Sequence, residues 1–206
     1  SGGFFGDRMR TGLQRDGTQL LGGDLVINSD QPINNGWRAE AQRRGLNLAE
    51  TMTFPSMAIA GEGDQAITQL AAVKAVSPGY PLRGTLKLAA PNNGADIATH
   101  AIPQPGTVWV DGHIRSVLHL AIGSPLKLGD KVFTVANVIS VEPDRGAAFI
   151  NFAPRVMLYL ADIPASHLVQ DGSRVTYRVQ VAGKPPAATA FRKWVQSKIE
   201  RENIRG

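Results

Sequence analysis

The chain has 206 residues, 43% of them apolar and 19% charged, with a formal net charge of +5. This apolar content suffices for one large or two small cores and excludes a disordered polyelectrolyte. The absence of cysteine excludes a disulfide scaffold and a thiolate metal site, and no run approaches the ~20 apolar residues that span a bilayer.

Charge is concentrated at the ends. Arg8, Arg10 and Arg15 face only Asp7 in the first fifteen residues, and Lys184, Arg192, Lys193, Lys198, Arg201 and Arg205 outweigh Glu200 and Glu202 in the last segment. The body between is close to neutral. A nucleic-acid surface spreads positive charge over a folded face, so no nucleic-acid partner is expected. The opening SGGFFGDRMR lacks the apolar core and cleavage motif of a signal peptide.

In chain order, Phe5, Met9, Leu13 and Leu20 suggest a helix over Phe4–Leu21, against the low propensity of Gly6, Gly12 and Gly17. GDLVINS (Gly23–Ser29) reads as a buried strand. Asn34 or Asn35 can cap a helix carrying Ile33, Trp37 and Ala41, and Gly45 ends it. Leu46–Ala60 is strand-like, with Pro55 demanding an edge or bulge. GEGD turns the chain into a return strand, Ala66–Val76. SPGYP then makes a corner before a short strand, Thr85–Leu88. Ala90–Gly106 reads as a loop rich in Pro and Gly. Thr107–Val110 is a strand, and Asp111 caps a helix with Ile114, Val117 and Leu118. PLKL and KVFTVANVISV form a hairpin around Gly-Asp. EPDRG (Glu142–Gly146) is a turn, and Pro154 fits the first turn of a helix running to Asp162. Pro164–Val169 is short and irregular. Ser173–Gly183 alternates as a strand with Val175, Tyr177, Val179 and Val181 on one face. Pro185 and Pro186 open a last helix whose apolar face is Ala190, Phe191, Trp194, Val195 and Ile199, with Lys198 beside it.

The order is α/β, then a β-rich stretch, then α/β again. An α+β fold explains it: a split α/β subdomain, residues 18–76 and 150–206, interrupted by a small β-rich subdomain at 77–149, with residues 1–17 as a separate helix. The chain crosses between the subdomains at the Tyr80 corner and at EPDRG.

The chemical inventory is thin. His113 and His119 are six apart, about 600° of helical rotation, and point away from each other; HExxH, GxSxG, GxGxxG and the P-loop pattern are absent. Glu142 and Asp144 read as a charged turn whose acids pair with an arginine such as Arg145 or Arg155, rather than as a general-acid pair. No catalytic residue, metal ligand or cofactor is expected. FRKWVQSK reads as an amphipathic helix and not as a stacking platform for nucleic acid.

GDLVINSDQPI, LAETMTFPSMAIAG, VKAVSPGYPLRGTLKL, PGTVWVD, LGDKVFTVANVISVEPDRG, APRVMLYLADIPA and LVQDGSRVTYRVQVAG together resemble the extracytoplasmic domain of FtsX/MacB-like ABC transporter permeases, within them the YbbP-like group. The resemblance spans residues 20 to 199. It implies a porter-like subdomain interrupted by a sabre-like one, on the periplasmic face of the bacterial inner membrane and attached through flanking membrane helices. It also implies a cytoplasmic ATPase, a second permease copy, and an esterase or lipoprotein partner in the periplasm. Residues 1–17 would then be a stalk-proximal helix. The implied role is to couple ATP-driven motion to displacement of a hydrophobic or lipid-like substrate or of a partner. The alternatives are a lipid- or lipoprotein-binding module with no mechanical role, and a hydrolase. Tyr80, Leu82, Arg83, Asp144, Arg145 and Arg155 are the candidate hinge or contact residues between the subdomains, with Arg83 a possible partner of Asp144.

Overall fold

The computed structural model describes residues 11–14, 25–145 and 152–205. β1 (Thr11–Gln14) pairs antiparallel with β2 (Leu25–Ser29), Thr11 opposite Ser29 and Gln14 opposite Val26. Residues 11–14 are therefore strand where a helix was expected. Gly12 weakens a helix there, and pairing with β2 supplies the backbone with partners. The remainder of the expected Phe4–Leu21 helix lies outside the described residues. α1 (Asn35–Arg43) starts as expected, with the extended Asn34 accepting from the Gly36 N–H through its side chain. It stops before Gly45, whose φ of +74° suits glycine.

β3 (Asn47–Ala60) and β4 (Ile67–Val76) form one long hairpin, in register from Thr51 opposite Val76 to Ala60 opposite Ile67. There follow β5 (Leu86–Leu88), β6 (Ile97–Thr99), β7 (Thr107–Asp111), α2 (Gly112–Val117), β8 (Pro125–Leu128), β9 (Lys131–Val141), β10 (Arg155–Tyr159), α3 (Ile163–Ser166), β11 (Thr176–Ala182) and α4 (Pro185–Arg205). Asp111 caps α2 by accepting from the Ile114 N–H at 2.9 Å. β6 falls inside the stretch read as a loop, where Ile97 and Thr99 bracket a three-residue ladder with β5.

β10 corrects the expected helix from Pro154. Arg155, Val156, Met157 and Leu158 are all buried, so the run has no polar face to give either period away. Its two neighbours decide the matter: it pairs parallel with β4 and antiparallel with β7. The Pro154 carbonyl accepts from the Ala72 N–H at 2.8 Å and starts that ladder.

Packing divides the chain into residues 1–50 with 175–206, and residues 51–174. In the first unit β2 lies between β1 and β11, antiparallel to both. Trp37 and Ala41 of α1 and Ala188, Phe191, Val195 and Ile199 of α4 pack with Leu25, Ile27, Val179 and Val181. Ala188 holds the core position expected of Ala190, which is exposed. Trp194 is half-buried and stacks on Phe191 at 6.0 Å between ring centres.

The second unit is a closed ring of six strands. β3 pairs with β4, β4 with β10, β10 with β7, β7 with β9, β9 with β8, and β8 returns to β3 at Ala58 and Ile59. A ring this small is filled by its own side chains. Leu126 and Leu128 of β8 alternate with exposed residues, and Phe133 and Val135 of β9 face the same core. β5 and β6 extend the far half of β9 as a short flap of sheet. Closure explains why the division falls at 50/51 and 174/175 and not at the expected 76/77 and 149/150. β4 and β10 are staves of the ring, so neither can belong to the outer segments.

Candidate functional site

The Tyr80 corner and the EPDRG turn come together within residues 51–174. Tyr80 is 1% exposed, and its phenol donates to Asp144. The Tyr80–Pro81 peptide is cis. Lys74, 3% exposed on β4, sits 4.8 Å above the Tyr80 ring. Its ammonium donates to Glu142 at 2.9 Å and to Asp144 at 3.1 Å.

Arg155 completes the cluster from the first position of β10. Its Nε and Nη2 grip the Glu142 carboxylate at 2.8 and 3.1 Å, and its Nη1 donates to the Ala72 carbonyl at 3.2 Å. Its own backbone N–H donates to Asp111 at 2.8 Å. Arg145 reaches the Ala153 carbonyl at 2.6 Å and stands 3.8 Å from both Asp111 and Glu142. Three cations and three carboxylates thus join β4, the corner, β7, the turn after β9, and β10.

Burial alone would raise the Glu142 carboxyl, but Lys74 and then Arg155 outweigh it and hold it below the ordinary carboxylate range. Burial pushes the Tyr80 phenol up, and the negative Asp144 and Glu142 push it further. Tyr80 therefore stays a neutral donor. The network is buried, and its carboxylates are engaged by cations and by the phenol. It offers rigidity to the strands it ties and presents no free nucleophile to a substrate.

Of the expected hinge residues, the structure brings Tyr80, Asp144, Arg145 and Arg155 into this one cluster, with Leu82 and Arg83 half-buried on the corner itself. Sequence reasoning missed Lys74 and Asp111. Lys74 did carry a signal, since it is the only charge in the strand LAAVKAV; a lone lysine on a buried strand requires partners. Glu142 was recognised as an acid that pairs with arginine, and Arg155 holds it.

Elsewhere, Ile27, Ile33, Trp37, Arg38, Leu48, Val179 and Phe191 line a dent with no room for a water molecule. It is no small-molecule pocket, which takes ~300–1,000 Å³. Among the described residues no His, Asp and Glu cluster could hold a metal, and no helix is long and apolar enough to cross a membrane.

No family model matches the chain. It is 33% identical over 200 residues, 97% of its length, to the uncharacterised ABC transporter permease YbbP of Escherichia coli (strain K12), of which it spans 23%. The periplasmic region of MacB from Actinobacillus actinomycetemcomitans superposes with a TM-score of 0.50 at 11% identity, covering 84% of this chain and 83% of that one. The extracellular domain of the ABC-type transporter YknZ from Gram-positive bacteria gives a TM-score of 0.47 at 9% identity, covering 86% and 84%. The chain belongs with the YbbP-like ABC transporter permeases, as a domain of the mixed α+β fold found in the MacB periplasmic region.

Proposed function

We propose that this domain works on the extracytoplasmic side of the membrane. There it passes ATP-driven motion of the permease to a hydrophobic or lipid-like substrate or to a partner, without catalysing a reaction. A cytoplasmic ATPase and a second permease copy complete the machine in this reading, and membrane helices flank the domain. The observation that carries it is the buried network of Lys74, Tyr80, Glu142, Asp144 and Arg155. It ties the Tyr80 corner and the turn after β9 to two central staves of a closed ring, all within residues 51–174. A body so tied transmits displacement instead of absorbing it. Cysteine pairs placed in the two permease copies of the full transporter test the proposal. Crosslinking yields that change between the nucleotide-free and ATP-bound states support it; identical yields in both states reject it.

The alternative, a lipid- or lipoprotein-binding module, draws on one observation. Met57 and Leu70 face each other across the β3–β4 ladder and are 45% and 47% exposed. Loss of partner capture by a Met57→Ser, Leu70→Ser variant with unchanged nucleotide-dependent crosslinking would favour that module over the coupling role.

A further inference from the structure

The net charge of the protein belongs to one unit. Residues 51–174 hold nine basic and nine acidic side chains, whereas residues 1–50 with 175–206 hold thirteen basic and eight acidic. Within the charged unit the imbalance is confined to residues 175–206, with seven basic side chains against Glu200 and Glu202. Most of these lie on or beside α4. Its apolar stripe, Ala188, Phe191, Val195 and Ile199, is committed to the core. At 100° per residue, Lys193 and Arg201 fall on the opposite side of the helix from that stripe, together with the exposed Glu200, so two cations stand there against one carboxylate. Lys184, Arg192, Lys193 and Arg201 are exposed.

We propose that the outer face of α4 docks against anionic phospholipid headgroups. The chemistry of the face selects that partner. Lys and Arg side chains near a negatively charged bilayer surface each strengthen binding about fivefold. A groove for single-stranded nucleic acid needs exposed aromatic platforms. The aromatics of α4 do not supply them, because Phe191 is buried and Trp194 stacks on it beneath Lys198, whose ammonium lies 5.2 Å from the indole centre. The exposed surface is therefore charged without being apolar, and its attachment is electrostatic, reversible and sensitive to salt. The inference rests on charge placement alone and stands apart from the coupling role.

The test is co-sedimentation of the 206-residue chain with large vesicles at low salt. One set is about one-third phosphatidylglycerol in phosphatidylcholine and the other is phosphatidylcholine alone. The chain is expected on the anionic vesicles only, and released at high salt. The Lys193→Glu, Arg201→Glu variant should lose at least about 25-fold in partitioning, from two side chains at about fivefold each. A control, Lys87→Glu, Lys127→Glu, alters exposed lysines of the neutral unit and changes net charge by the same amount. It should change partitioning by less than about threefold, since those lysines lie off the docking face. Equal losses in both variants would show that net charge acts and overturn the proposal. So would an unchanged α4 variant, binding to phosphatidylcholine alone, or displacement by a single-stranded oligonucleotide in preference to lipid.

Discussion

Replacing Arg155 with Met is the most direct test of the buried network. The substitution conserves bulk but removes two hydrogen bonds to Glu142, at 2.8 and 3.1 Å, and one to the Ala72 carbonyl at 3.2 Å. Glu142, whose side chain is only 2% exposed, is left with Lys74 as its close cation and cannot recover the loss from water. Breaking a buried pair from one side costs about 3–5 kcal/mol. The amides of Val73–Val76 and Val156–Leu158 report it, because they lie in the β4 and β10 strands that the network pins. Their hydrogen exchange should quicken roughly 200- to 5,000-fold, the factor that 3–5 kcal/mol implies. Adding Glu142→Leu removes the stranded carboxylate and leaves Lys74 paired with Asp144. The double variant should recover more than half of the lost protection. Acceleration below about tenfold would place Arg155 in the class of exposed ion pairs worth ~0–1 kcal/mol and refute the reasoning. A double variant no better protected than the single would do the same.

Glu142, held below the ordinary carboxylate range by Lys74 and Arg155 against its burial, contributes stability above the unfolded carboxylate range. That contribution is lost as pH falls through its lower folded value. The urea midpoint of the parent protein should therefore fall more steeply in acid than that of Glu142→Gln, and parallel curves would contradict the assignment. Tyr80→Phe leaves Asp144 without its phenolic donor and should cost about 1–3 kcal/mol in urea unfolding. Gly129 holds φ at +56°, and a Cβ there would stand 2.6 Å from the Ser166 carbonyl oxygen. Gly129→Ala should accordingly cost more than the ~1–2 kcal/mol of left-handed strain alone, read as a lowered melting temperature. Asn34→Ala removes the α1 cap and should cost about 1 kcal/mol, whereas Asn34→Ser should be close to neutral.

Local grammar made most of the fold legible. Asn34, Asp111 and Gly45 mark helix ends through interactions with their immediate neighbours, and the alternation in β8 and β9 follows from one buried face. The failures share a cause. β10 has both faces covered, and β1 is set by its ladder with β2 and not by its own residues, so neither period nor propensity reveals them. The unit boundary moved for the same reason: closing β8 onto β3 is a pairing between residues some seventy positions apart. In the network, the corner and the turn were recognisable from Tyr80, Asp144 and Arg155. Lys74 and Asp111 required the three-dimensional register, because their partners lie 68 and 44 residues away.

The six-stranded closure has a consequence for how the protein is made. All of its staves lie between Asn47 and Tyr159, so the barrel can shut while later residues are still being delivered. The other unit cannot do the same. Leu25, Ile27 and Trp37 wait for Val179, Phe191 and Val195 to arrive, with the finished barrel held in the gap between the two halves. At about 5–20 residues per second the wait from Tyr159 to Ile199 lasts roughly 2–8 s. For those seconds an apolar strand and helix stand uncovered, and this is the interval in which a nascent chain needs a chaperone.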